Sequence, residues 1–264
     1  MRIAIGLYGF LGEILNTDDI LKISNAVPYC NEGIDIFYYG PTIIHESNQN
    51  ELDMNNIELQ YKNAKLGNVY FTSYKYNPTK FINIVKNIGL PKQLADGIYS
   101  YRLFSMIFNL ENTIKLIKSS NISYDYIIIM RNDYITHIPR FNELFNNDII
   151  KDSLYIFRKD YVFPDDIDGL IHNVEDRIIY GDSNSIYKLI GLYDTLFTID
   201  ITNPTLNCSE YIIKYYVRNK FNKSHLHTQS FANPWIPVVP LNKEFKRSYQ
   251  MKQIVDEYYR LSEL

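Results

Sequence analysis

Within Tyr124-Asp125-Tyr126-Ile127-Ile128-Ile129-Met130-Arg131-Asn132-Asp133, an apolar run of strand type stops abruptly at Arg-Asn-Asp. A guanidinium and a carboxylate are delivered together at the end of a strand that should be buried. In open α/β sheets the ligand sits in the crevice outside the carboxyl ends of the strands. An Asp placed there can hold Mn²⁺ or Mg²⁺ through oxygen, and the cation can hold a diphosphate. Arg131 and Asp133 point to one face if the chain is extended, and Arg binds phosphate bidentately. The bland alternative is a turn after the strand, the common job of Asn-Asp, with Arg131 as a salt-bridge partner that orients Asp133.

Upstream of this stretch, apolar residues recur at helical spacing from Ala95 to Lys118, at Tyr101, Phe104, Ile107, Phe108, Leu110, Ile114 and Ile117. Arg2–Tyr8 reads as a first strand ending in the turn Gly9-Phe10-Leu11-Gly12. A helix follows from Thr17 or Asp18 to about Asn25. Ile34–Tyr39 is a second strand closed by Gly40-Pro41. The polar, Asn-rich segment His45–Asn63 reads as a surface excursion, and Val69–Tyr74 as a third strand. Pro78 opens a helix that Gly89-Leu90-Pro91 stops.

Downstream, Ser153–Phe157 and Arg177–Gly181 read as strands. Helices are expected from Ser183 to about Leu196, from Ser209 to Phe221 and from Glu244 to Leu261. Pro234, Pro237 and Pro240 keep the stretch before the last one extended. Strands alternating with helices predict an α/β fold, a mainly parallel mixed sheet flanked by helices on both faces. No repeat or linker divides the chain, so residues 1–264 are expected to form one domain.

Hydrophobic residues make up 46% of the 264 and charged residues 22%, enough for a sizeable core. The net charge of -3 steers the chain toward neither nucleic acid nor an anionic surface. Cys30 and Cys208 form no metal or redox spacing, which fits buried thiols in a reducing compartment. Met1–Gly6 is too short an apolar run for a signal peptide, and nothing approaches the roughly 20 apolar residues of a membrane span. A cytoplasmic protein is expected. The 24 Tyr and 14 Phe are partly an AT-rich codon signature, though carbohydrate sites also use aromatic platforms.

Glu175-Asp176-Arg177 offers adjacent carboxylates, one of which is readily held ionised as a general base; such triplets are also ordinary solvated loops. His225-Leu226-His227 sets two imidazoles on one face if extended, which would suit a metal or simply an exposed surface. Gly6 and Gly9 bracket the first turn, where a base or ribose could approach the backbone beside Tyr8. No G-x-G-x-x-G fingerprint, Walker A loop or G-x-S-x-G elbow occurs. That disfavours a dinucleotide oxidoreductase, a P-loop kinase and an α/β hydrolase.

Four segments together resemble the GT-A glycosyltransferases with which bacteria and large DNA viruses build surface glycans: Arg2–Gly9, Ser100–Met106, Tyr126–Asp133 and Glu175–Ser183. The resemblance spans roughly residues 1 to 200. It implies a GT-A-like, Rossmann-like sheet, with a nucleotide-sugar-binding half at 1–135 and an acceptor-binding half at 136–264. Carried across, Asp133 would hold the metal and the donor diphosphate, and Arg131 or Arg102 would contact phosphate. Glu175 or Asp176 would face the acceptor. Apart from the resemblance, Gly6, Tyr8, Gly9 and Asn132 are expected to line the donor and His227 to be a second metal ligand. The motif lacks the first Asp of the usual Asp-x-Asp. The implied activity is metal-assisted transfer of a monosaccharide from a nucleotide-diphosphate sugar to a glycan hydroxyl, with inversion favoured over retention. A viral member would work in the host cytoplasm. A sugar nucleotidyltransferase and a non-catalytic glycan-binding protein are the alternatives.

Overall fold

The computed structural model describes residues 2–10, 33–46, 48–63, 67–93, 99–132, 151–158, 174–199, 209–222 and 225–229, with 256, 259 and 260. Nine strands are present among them: β1 Ile3–Tyr8, β2 Ile34–Pro41, β3 Ile43–His45, β4 Asn48–Glu51, β5 Val69–Tyr74, β6 Tyr126–Arg131, β7 Leu154–Arg158, β8 Val174–Gly181 and β9 Leu226–Gln229. The helices are α1 Met54–Asn63, α2 Pro78–Asn87, α3 Ser100–Ser119, α4 Ser183–Tyr187, α5 Leu192–Thr195 and α6 Ser209–Lys220.

Seven strands form one sheet in the order β5-β2-β1-β6-β8-β7-β9, and β3 pairs with β4 as a separate antiparallel hairpin. β5, β2, β1 and β6 are mutually parallel. β8 runs antiparallel to both β6 and β7, and β9 is parallel to β7. The mainly parallel mixed sheet expected of the sequence is therefore present. Every residue of β1 is buried, as expected when both faces of a sheet are covered.

On one face, α3 crosses β1 and β2. Gly6 is what lets it come so close. A Cβ there would lie 2.7 Å from both Ile129 Cδ1 and Thr113 Cγ2. α2 packs on the outside of α3, and its start is set by Asn77, whose side chain accepts from the Thr79 N–H at 3.1 Å. Pro78 follows at the first helical position, where its missing N–H costs nothing. On the other face α1 covers β5 through an edge-on contact of Tyr61 with Phe71.

Several expectations change. The polar excursion at 45–63 contains β4 and α1, with α1 turned inward by Ile57 and Tyr61. The helix expected from Ser183 to Leu196 is two short pieces, broken at Gly191, whose φ of 106° is left-handed. The Glu111 carboxylate on α3 accepts from the N–H groups of Gly191 and Tyr193 at 3.1 and 2.6 Å, satisfying the amides at the start of α5. β8 begins three residues earlier than expected, so Glu175 and Asp176 lie in the strand rather than before it. The helix expected near residues 17–25 and most of that expected at 244–261 lie outside the described residues.

Candidate active site at the ends of β1 and β6

The chain proceeds from β1 outward to β2 and β5, then returns to the other side of β1 for β6. The direction of winding thus reverses between β1 and β6. A reversal of this kind opens a crevice at the carboxyl ends of the two strands, the general ligand position of open α/β sheets. Tyr8 pairs with Arg131 at that edge. β8 is antiparallel, so its first residues come to the same edge. The recorded β6–β8 pairing ends at Met130–Ile178, and the β7–β8 register shifts between Ile156–Ile179 and Arg158–Val174, so Glu175 and Asp176 lie in β8 just past its last pair with β6.

The edge is tied together by short-range bonds. Gly9 leaves β1 with φ 89°, a conformation that excludes most side chains. Its carbonyl accepts from the Tyr38 hydroxyl at 3.0 Å, as does the Pro41 carbonyl at 2.9 Å. Burial, reinforced by Tyr74 and Tyr61, pushes the Tyr38 phenol well above its ordinary pKa, so it stays a donor. Asn132 is fully buried and donates from Nδ2 to the Phe10 carbonyl at 3.2 Å. This bond joins the segment leaving β1 to the segment leaving β6.

A second cluster adjoins it. The Phe10 ring meets Tyr76 edge-on at 5.2 Å, and the Tyr76 hydroxyl donates to Glu46 Oε1. Glu46 sits in the turn after β3 and is only 1% exposed. It also accepts from Tyr101 at 3.2 and 3.1 Å and from Arg102 Nε and Nη2 at 2.9 and 2.6 Å. Tyr101 and Arg102 come from the first turn of α3. Burial opposes the Arg102 charge, but the Glu46 carboxylate outweighs it and raises the Arg102 pKa. Burial, with the same carboxylate, raises the Tyr101 pKa and keeps it a phenol. Arg102 further lies 5.3 Å above the Tyr99 ring.

The structure therefore brings Tyr8, Gly9, Arg131 and Asn132 to one edge, with the backbone of Glu175 and Asp176 beside them. Arg102 stands with Glu46, which sequence reasoning did not single out. No periodicity or motif marks a lone carboxylate in a polar turn. Gly6 lies within β1, where its missing side chain is required by α3 packing. Asp133 lies outside the described residues. His227 is not brought to this edge. It pairs with Tyr155, which pairs with Tyr180 and so with Ile128. That sets it three strands, about 14 Å, to the side of β6 at ~4.8 Å per strand, and level with the strand's middle. Among the described residues no group of three or more His, Cys, Asp or Glu side chains could hold a metal ion. No described helix is long and apolar enough to cross a membrane.

No family model matches the chain, and no curated protein matches it. Among solved structures it is similar to 4-diphosphocytidyl-2C-methyl-D-erythritol synthase from Anaerococcus prevotii, at TM-score 0.39 and 11% identity over 95% of this chain and 96% of that one. It is likewise similar to mouse xyloside xylosyltransferase 1 in its apo form, at TM-score 0.39 and 6% identity over 86% of this chain and 84% of that one. Likenesses this distant carry no functional conclusion.

Proposed function

We propose that the protein is a glycosyltransferase that moves a monosaccharide from a nucleotide-diphosphate sugar to a hydroxyl of a glycan acceptor. The observation that carries this reading is the meeting of Gly9, Arg131 and Asn132 with the acidic start of β8 at the point where the sheet's winding reverses. Donor and acceptor then approach from the two sides of that crevice. Arg131 offers positive charge to the departing diphosphate, and Asp133 is the carboxylate through which a divalent cation would be held; Arg102 is held by Glu46. A bound Mn²⁺ or Mg²⁺ supplies further charge neutralisation on the diphosphate. Asp176, or Glu175 next to it, takes the proton from the acceptor hydroxyl in an inverting transfer. His227, three strands away, has no part in the reading. Most of the rate acceleration comes from holding the two substrates in line and stabilising the leaving group.

The test begins with thermal unfolding in the presence of UDP-, GDP- and TDP-sugars with Mn²⁺, since ligand that binds only the folded chain raises its stability. Turnover of the stabilising donor should release a nucleoside diphosphate. Release of pyrophosphate would make the protein a nucleotidyltransferase instead. Asp133→Ala should reduce turnover by about 10²-fold or more and weaken donor binding in Mn²⁺. Activity near that of the unsubstituted protein would overturn the metal assignment. Asp176→Asn should depress turnover far more than donor affinity, and an unchanged rate would remove it from the proton-transfer role.

A further inference from the structure

A cavity of about 130 Å³ lies at the opposite edge of the sheet, lined by Asp152, Lys188, Lys220, Phe221, Asn222 and His225. Asp152 precedes β7, whose first residue Leu154 pairs with Gly181 at the end of β8. The cavity is therefore at the amino ends of β1 and β6, away from the crevice. Lys188 ends α4 and Lys220 ends α6. Each ammonium rests over an aromatic ring, Lys188 at 5.1 Å from Phe221 and Lys220 at 5.6 Å from Tyr216. Such contacts hold a cation in place without neutralising it. Neither lysine has an ion-pair partner among the described residues.

His225 is oriented by its neighbour. Its Nδ1 is 3.1 Å from the Asp152 carbonyl oxygen. A carbonyl only accepts, so Nδ1 carries the proton and donates. Nε2 is then the ring position left for another contact. Asn222 adds an amide. Two ammonium groups and an amide around one hollow suit the three free oxygens of a phosphoryl group, while Nε2, an acceptor in this tautomer, can take the proton of a singly protonated phosphate. The volume is roughly that of four liquid waters. That accommodates a phosphoryl group, and the exposed Lys188, Lys220 and Asn222 leave room for the rest of a ligand to extend outward.

We infer that this cavity binds a terminal phosphoryl group, either free phosphate or the phosphate of a sugar. Asp152 offsets one of the two lysine charges, so weak binding is expected, and the test is set for a Kd on the order of 1 mM. The test is thermal unfolding of the full chain in sodium phosphate, in glucose 6-phosphate, and in sodium chloride of matched ionic strength. At about 20 mM phosphate the midpoint should rise by roughly 4 °C above the chloride control. Lys188→Met and Lys220→Met keep the aliphatic stems and should each weaken binding about tenfold, while both variants unfold normally in chloride. Isothermal titration with phosphate reads the same loss without relying on stability. A lower midpoint concentration for glucose 6-phosphate identifies a phosphorylated sugar as the ligand; equal effects identify free phosphate. Equal rises in phosphate and chloride, or a phosphate effect that survives in the double variant, would overturn the inference.

Discussion

Removing the Glu46 carboxylate would strand the Arg102 guanidinium, which it holds through two hydrogen bonds, and would leave Tyr76 and Tyr101 without their acceptor. Breaking a buried ion pair from one side costs roughly 3–5 kcal/mol. Arg102 keeps 33% of its side-chain surface in water, so Glu46→Ala should cost about 2–3 kcal/mol in urea unfolding. Adding Arg102→Met should recover part of that, because no charge is then left unpaired. Strict additivity of the two substitutions would show that the side chains act independently. Arg102 is named in the sequence through the resemblance of Ser100–Met106, as a phosphate contact, whereas the structure gives it Glu46. That partner, 56 positions earlier, could not be named, since local pattern carries no information about which turn a helix start will meet. Arg131 and Asn132 were legible for a different reason: polar residues that end a buried strand stand out against the run before them.

Packing between α3 and β1 is sensitive to volume. In Gly6→Ala the new methyl would press on Ile129, Thr113 and Ile117 at 2.7 to 2.9 Å. The expected cost is about 1–3 kcal/mol by overpacking. Ile129→Val removes one of the clashing atoms and should restore part of the loss when combined with it. Denaturant melts of the three variants decide this, and a Gly6→Ala protein as stable as the parent would mean that α3 moves freely. The strands and longer helices were readable because burial on both faces writes continuous apolar runs and one-sided helix burial writes a 3.6-residue period. The β3–β4 hairpin was not, for Asn48-Gln49-Asn50-Glu51 has no apolar face. Nor was the direction of β8, because Ile178-Ile179-Tyr180 reads alike whether its neighbours run with it or against it. Gly191 falls inside the helix expected from Ser183 to Leu196, and its left-handed φ marks the break.

The molecule as a whole carries an unusual load of buried phenols, and this sets its response to alkali. Burial pushes Tyr74, Tyr193 and Tyr259 up to about 12 and lifts Tyr38, Tyr101, Tyr124 and Tyr180 as well. In the unfolded chain these groups ionise from about 10. A raised folded-state value gives stability that is complete below the unfolded value and is lost as pH climbs through the folded one. The melting midpoint should therefore fall between pH of about 10 and 12, with tyrosinate absorbance appearing together with loss of circular dichroism. Titration of every tyrosine near its ordinary value with the fold intact would contradict this. The α/β class and the mixed sheet were legible from the alternation of elements; the strand order was not, because it depends on pairings between distant segments. That order has a consequence for biosynthesis. β1 is covered by β2 once Pro41 has left the ribosome, but its second edge waits for β6, which ends at Arg131, about 90 residues later. For that interval an uncharged strand, Ile3-Ala4-Ile5-Gly6-Leu7-Tyr8, is an open template on a nascent chain. Slow translation between these two points would prolong the exposure, and a holding chaperone would find a client surface there.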